Sequence, residues 1–557
     1  MSSLISLKPS NNNFDTYLDD INSGLLLIPE FQRDFVWELE NVLNLLYSIK
    51  KNYPIGSFLF WTPETEFRIA KQVGPYFIKE SVFDAFEKRQ RKYILDGYQR
   101  MSALFGVLSN PEKIKNFEFN EKAFNSTFNI YYNLENEVFE VFGRNLELCS
   151  VPAYTLLDYE SFLTYSEKIQ REYTPEISKK YTDRLKKIVT TFSRYQMPVI
   201  EIAGGTLDEA IDIFTLLNKE GKPITPDWIL SAKTYTDNFR LGHKIDITLD
   251  KIEKYNFVDK KPREVAVRDL VFRSIQSSFG DLYLDNKKTD IISLSKNPNF
   301  QSQIEITVKS IELVAKFLFE ELLIVDNKLL PANIQFIFLV EFFNHIPEPN
   351  NEQIKKLKQW FWITTYSNYF TIFSPSKRKT AFQHFQKFIK NVELNPVYSD
   401  RTEQPFVVPA LSDKVNLGSV RSKAHILFML NYSNNFQPVN TEHIEDYKVL
   451  KLFAETKFSS DLGESANMVV CLNKTTDNVF IQSGKKTNDL SFMLALENKG
   501  RYSEYFITDE MRDEYSKSNI ERVLELRKKL IINKEHTFAE KLGLDYLGYT
   551  QLSEVSY

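Results

Sequence analysis

One stretch constrains this chain more than any other: Ile94-Leu95-Asp96-Gly97-Tyr98-Gln99-Arg100-Met101-Ser102-Ala103-Leu104. Tyr93-Ile94-Leu95 are apolar and β-prone, Gly97 admits a backbone angle that other residues resist, and an amphipathic helix opens after it. The stretch reads as a buried strand, a tight turn and a helix. It places Asp96, Gln99 and Arg100 at a strand-to-helix junction, where the N–H groups of a helix start receive an anion. Arg100 adds a two-pronged donor suited to phosphate. The same residues allow a plainer arrangement, with Asp96 capping the helix and Arg100 as its surface partner.

At 557 residues the chain has room for roughly three domains of about 150 residues. A net charge of −4 gives no global basic field, so contact with nucleic acid requires a local patch. Cys149 and Cys471 are far apart and outside any CxxC motif, which indicates neither a disulfide scaffold nor a zinc ribbon and fits a reducing cytoplasm. The N-terminal residues lack the apolar core of a signal peptide. No apolar run approaches the roughly 20 residues that span a bilayer, so no membrane partner is expected.

In chain order, residues 14 to 23 read as a short helix and Leu25 to Ile28 as a strand ended by Pro29. Val42, Leu45, Leu46 and Ile49 recur at helical spacing, and Tyr53-Pro54-Ile55-Gly56-Ser57 turns into the strand Phe58 to Trp61. Ser166 to Tyr195 is charged and helical, an ordinary solvated face or a DNA-facing one. Pro198 to Ile202 reads as a strand returning to the same sheet, so the first 235 residues are expected to form an α/β domain. From 236 to 395 the apolar period is helical over Val265–Ser277, Ile304–Leu323, Asn333–His345, Asn351–Phe370 and Arg378–Val392, which predicts an all-helical middle domain. Lys377-Arg378-Lys379 is a small basic cluster, either a phosphate contact or a helix-start surface group. Asp400 to Ser419, with Pro405 and Pro409, reads as a linker into a third domain over 396–557.

Gln32 and Arg33 in the run Pro29 to Trp37, with Gln99 and Arg100, form a set able to hold phosphate oxygens. Asp96 is placed to orient an arginine or a metal-bound water. Asn218 and Gly221 lie at a helix end, where plain helix termination is the alternative.

The Pro29–Arg33 run, the Pro-Ile-Gly turn, the Asp-Gly-x-Gln-Arg signature and Leu217-Asn218-Lys219-Glu220-Gly221 together resemble the N-terminal, GmrS-type domain of GmrSD-like restriction proteins. Tyr98 stands where that family has a first glutamine. The resemblance implies a ParB-like fold binding nucleotide or phosphate, with Gln32, Arg33, Asp96, Gly97, Gln99, Arg100 and Asn218 as nucleotide-binding candidates. GTP, ATP and UTP are not distinguished.

Glu442-His443-Ile444, Asn467, Asn473 or Asn478, Lys485-Lys486 and Ile520 with Arg522 are similar to the GmrD-type C-terminal domain, of the HNH (ββα-metal) nucleases. Asp446 replaces a proline of that pattern and Ala466 a glycine. Phosphodiester hydrolysis needs an activated water and neutralisation of the charge that develops. The resemblance implies His443 as general base, Asn467 orienting it or its loop, and Glu442 and Asn478 as candidate metal ligands for Mg²⁺ or Mn²⁺. On spacing alone, His443 reads equally as a surface histidine and the asparagines as turn residues.

The expectation is an α+β multidomain protein with a ParB-like α/β N-terminal domain, an all-helical middle domain and an HNH-like C-terminal domain. By resemblance it is a modification-dependent (type IV) restriction endonuclease, a nucleotide-regulated enzyme acting on double-stranded phage or modified DNA, with a homo-oligomer as a possible state. The competing expectations are a nucleotide-regulated binding protein with an inactive nuclease domain, and an NTP-depleting toxin acting through the first domain alone.

Overall fold

The computed structural model describes residues 5–547 except 30–31, 33–34, 64–68, 83–90, 142–148, 207–208, 211–212, 214–225, 235–238, 261–265, 284–292, 400–405, 412–414, 454–462 and 475–489. It forms two compact units, Met1–Gly242 and His243–Tyr557. Among the described residues no helix is long and apolar enough to cross a membrane.

The first unit is built on a five-stranded mixed sheet. Its strands are β1 (Ser6–Asn13), β2 (Leu26–Leu27), β3 (Phe58–Thr62), β4 (Lys92–Asp96) and β5 (Gln196–Ala203), in the spatial order β1-β5-β3-β4-β2. β1 runs antiparallel to β5, β5 parallel to β3, β3 antiparallel to β4, and β2 parallel to β4. The alternation of strands and helices is thus present, but the sheet is mixed. The polar run Ser6–Asn13 carries no apolar alternation; it is a strand because it borders the sheet and pairs its backbone with β5 along its whole length.

Helices α1 (Phe14–Asn22), α2 (Leu39–Lys50), α3 (Tyr98–Leu108), α4 (Tyr159–Glu172) and α5 (Pro175–Arg194) belong to this unit. The charged stretch read as one helical run is two, because Pro175 opens α5 and Tyr173 is already extended. Phe14, Tyr17, Phe60, Tyr93, Met101 and Phe105 are among the residues of one buried core. Two small three-stranded sheets complete the unit.

The second unit is mainly helical. Its principal helices are α6 (Ala266–Ser277), α7 (Phe300–Leu322), α8 (Asn333–His345), α9 (Asn351–Tyr366), α10 (Pro375–Lys390), α11 (Val420–Ser433) and α12 (Ile520–Lys541). α9 stops short of Phe370 because Asn368 takes a left-handed angle, φ 52°. Phe338 of α8 stacks with Trp360 of α9 and meets Phe382 and Phe385 of α10 edge-on or tilted, which gives the helices a common aromatic core. Part of the expected linker is structured: Val407–Val408 pairs in parallel with Asp545–Tyr546 near the far end of the chain. Strands β6 (Ile444–Lys451) and β7 (Met468–Lys474) form an antiparallel ladder.

Candidate functional site

The junction predicted at Asp96–Arg100 is present. β4 ends at Asp96, Gly97 stands at φ 87°, and α3 begins at Tyr98 with no side-chain cap. A Cβ on Gly97 would overlap the Phe58 ring, so glycine is required by conformation and by space. The helix is capped by this glycine, not by Asp96. Asp96 instead pairs with Arg100 one turn on, Nη2 to Oδ2 at 3.1 Å.

Arg100 does more than hold a surface partner. Its Nη1 donates to the carbonyl of Ile55 at 2.6 Å and its Nη2 to that of Ser57 at 3.0 Å. The guanidinium also lies over the Phe58 ring, 4.6 Å from its centre. It therefore holds the Pro-Ile-Gly turn, and a Cβ on Gly56 would sit 2.5 Å from Nη1. Burial lowers the Arg100 pKa from its ordinary value, and Asp96 opposes that pull.

The two glutamines act in the same way. Gln32 Nε2 donates to the carbonyls of Leu95 at 2.8 Å and Ile94 at 3.3 Å, closing the end of β4. Gln99 is buried, and its Oε1 accepts from the Val36 N–H at 2.9 Å. Three sequence motifs up to about seventy residues apart are thereby tied into one knot at the end of the sheet. The side chains read as phosphate donors make these hydrogen bonds within the knot itself. Arg33 and Asn218 lie outside the described residues, as does the Leu217–Ile224 segment.

The C-terminal candidates divide. Glu442 and His443 are exposed on a short turn, Thr441–His443, that leads into β6. The turn is fixed by Asn440, whose Oδ1 accepts from the Glu442 N–H at 3.0 Å, and by Thr441, whose hydroxyl donates to Glu320 at 2.9 Å. Asn467 corrects the expectation. In the β6–β7 ladder Ile444 faces Lys474 and Lys451 faces Met468, so His443 and Asn467 stand at opposite ends. The two end pairs are seven steps apart along β6, on the order of 20 Å, and His443 and Asn467 lie beyond them at either end. Asn467 is buried and spends both ends of its amide on Phe453, with Nδ2 donating to the carbonyl at 3.0 Å and Oδ1 accepting from the N–H at 2.9 Å. It folds a turn and does not orient His443.

The arginine that α12 turns inward is Arg527, whereas Arg522, matched by the resemblance, stays at the surface. Arg522 pairs with Glu525 at the surface, Nη1 to Oε2 at 2.9 Å. Arg527 is fully buried, and its guanidinium donates to the carbonyls of Ala466 at 2.6 Å and Tyr505 at 3.1 Å. Burial pulls its pKa down to about 9.

Sequence reasoning also passes over Arg421, His425 and Glu535. Arg421 grips Glu535 with both prongs, at 2.9 and 2.8 Å, while the hydroxyls of Tyr366 and Tyr546 donate to the same carboxylate at 3.0 and 2.7 Å. His425 Nδ1 lies 3.5 Å from Glu535. Burial raises the Glu535 pKa, yet Arg421 and His425 outweigh it and hold the carboxyl well below its ordinary value. No spacing rule joins residues 366, 421, 535 and 546, so only the fold brings them together.

Among the described residues no group of three His, Cys, Asp or Glu is arranged to hold a metal ion. Glu442 and His443 alone do not amount to a divalent-cation site, and Asn478 lies outside the described residues.

Residues 14–235 match the model of the N-terminal domain of GmrSD restriction endonucleases. Over nearly its whole length the chain is similar to an uncharacterized protein of Methanocaldococcus jannaschii, 22% identical over 585 residues, covering 92% of this chain and 96% of the relative.

Proposed function

We propose that the protein is a restriction-type DNA endonuclease with a nucleotide- and DNA-sensing N-terminal unit and a hydrolytic C-terminal region. The match of residues 14–235 to the GmrSD N-terminal domain carries this reading, because it spans all the motifs that meet in the knot. In this reading nucleotide phosphates approach the start of α3, where Gly97 leaves the helix end without a side-chain cap. Asp96 and Arg100, with Gln32, Arg33, Gln99 and Asn218, hold or shape that end. His443, exposed at the start of β6, takes the proton of the attacking water. The described residues do not make up the Mg²⁺ or Mn²⁺ site expected beside it, and no step is assigned to a metal.

A second reading is a nucleotide-regulated DNA-binding protein that does not cut. The structural role of Asn467 favours it, since one expected member of the nuclease site is committed elsewhere.

Cleavage of modified and unmodified phage and plasmid DNA, in Mg²⁺ or Mn²⁺ with and without each nucleotide, separates the two. Cutting by the wild type that falls at least a hundredfold in His443→Ala, with an unchanged melting curve, is the expected result. Equal cutting by that variant removes His443 from the site, and binding without cutting in any condition selects the second reading.

A further inference from the structure

The Pro-Ile-Gly turn has a second face. Arg100 holds its Ile55 and Ser57 carbonyls, and from the other side the Tyr195 hydroxyl donates to the carbonyl of Tyr53 at 2.7 Å. Tyr195 is itself buried and stacked on Phe14, ring centres 5.3 Å apart, so this clamp is rigid. Beside the clamp, where β1 ends and β5 begins, lies a groove of about 490 Å³ lined by Asn11, Asn52, Pro54, Arg194, Tyr195, Gln196 and Pro198.

The lining is built from groups that bind nucleic acid. Arg194 is exposed and makes no hydrogen bond or ion pair with any described residue. Two turns back on the same face of α5, Lys187 is exposed as well. Lys187 and Lys51 both press on Lys50, whose pKa is lowered first by burial and then by these like charges against the pull of Glu137. Three lysines and Glu137 thus lie close enough to interact, on a chain whose net charge is −4. Tyr53, which stands in the chain between the lining residues Asn52 and Pro54, is 56% exposed, with the Lys51 ammonium 5.7 Å from its ring centre. Asn11, Asn52 and Gln196 supply exposed amides, each with donors and an acceptor. Cations for phosphate, an aromatic surface for stacking and amides for base edges are the combination that single-stranded nucleic acid recognises.

We propose that this groove seats a DNA strand with an unpaired base: the phosphates on Arg194, Lys187 and Lys51, the base on Tyr53. The inference deepens the DNA-sensing reading above and rests on it. It also places the strand on the far wall of the turn that Arg100 holds, so one loop would report on both faces.

The test is fluorescence anisotropy of the full chain with a labelled single-stranded 12-mer and the same sequence as duplex, across a salt series. Photocrosslinking with a bromodeoxyuridine-containing strand runs alongside. The expected result is tighter binding of the single strand and a crosslink mapping to Tyr53. Tyr53→Ala should weaken binding roughly five- to hundredfold, with Tyr53→Phe retaining it. Arg194→Ala should reduce the slope of log affinity against log salt by about 0.7, as one phosphate contact on a single strand requires. Wild-type affinity in both Tyr53→Ala and Arg194→Ala overturns the groove, and so does a lower melting temperature in Arg194→Ala with binding intact. If those variants bind and cut as the wild type does, the groove fails while the endonuclease reading stands. A wild type that neither binds nor cuts DNA overturns both.

Discussion

Arg100 shows how a motif residue can hold a loop in place. Three of its bonds go to Ile55, Ser57 and Asp96, all within the protein. Two roles make different predictions. If Arg100 only bound phosphate, Arg100→Ala would abolish nucleotide binding and leave stability unchanged. As the clasp of the turn, its loss releases two carbonyls and a carboxylate, and the first unit should be destabilised by about 2 kcal/mol. Arg100→Lys should recover little, because an ammonium cannot reproduce the fork that reaches two carbonyls and Asp96 together. Thermal unfolding of the three proteins, read beside nucleotide binding, checks this. A melting temperature unmoved by Arg100→Ala would return the residue to the phosphate. The existence of this junction is legible in the residues, since Gly97 punctuates a change of period from strand to helix. The use of Gln32, Gln99 and Arg100 is not, because a side-chain amide or guanidinium suits a backbone carbonyl as well as a phosphate oxygen. Only the position of the loop decides between them.

Elements with strong apolar period match their sequence expectations closely: α2, α6, α7 and α8 fall within a few residues of where the pattern puts them. Elements held by long-range pairing do not announce themselves. β1 is polar and carries no apolar alternation, and the strand Val407–Val408 hides in an apparent linker. The ladder β6–β7 separates Asn467 from His443, which motif order alone had placed together. The buried Glu535 network belongs to this scale too, since it fastens α9, α11, α12 and the Val407–Val408 pairing to one another. Folding lowers the Glu535 pKa, so its contribution is complete above the unfolded value of about 4.3 and is lost as pH falls below that towards the folded value. Glu535→Gln leaves Arg421 buried without its carboxylate and should cost about 3–5 kcal/mol at pH 7. Below pH ~4.3 the wild-type melting temperature should fall more steeply than that of the variant, so the two curves converge in acid. Parallel curves from pH 7 to 3 would show that the ion pair does not set the acid limit. Where Glu535→Gln does not fold, the double change Arg421→Met with Glu535→Leu removes both charges and makes the same comparison.

At the scale of the molecule, composition allows three domains and the contacts make two units. The residues expected as a helical middle domain and those expected as a nuclease domain share Glu535, Arg421 and Tyr366 in one buried cluster, which joins them. The first unit has the opposite character. Its sheet is closed by β5, which returns to β1 and β3, and the core from Phe14 to Val199 is drawn wholly from its own residues. A chain segment with its own sheet and core is expected to fold alone. Residues 1–242 expressed by themselves should therefore show a single cooperative melt, with far-ultraviolet dichroism of a mixed α and β protein. Gly97→Ala should lower that melt, since a Cβ there combines an unfavourable left-handed angle with overlap of Phe58, worth about 3 kcal/mol together. In the full chain the same substitution should move the transition of the first unit and leave the acid-sensitive behaviour set by Glu535 in place. A fragment that stays unfolded would mean that the sheet depends on the rest of the chain.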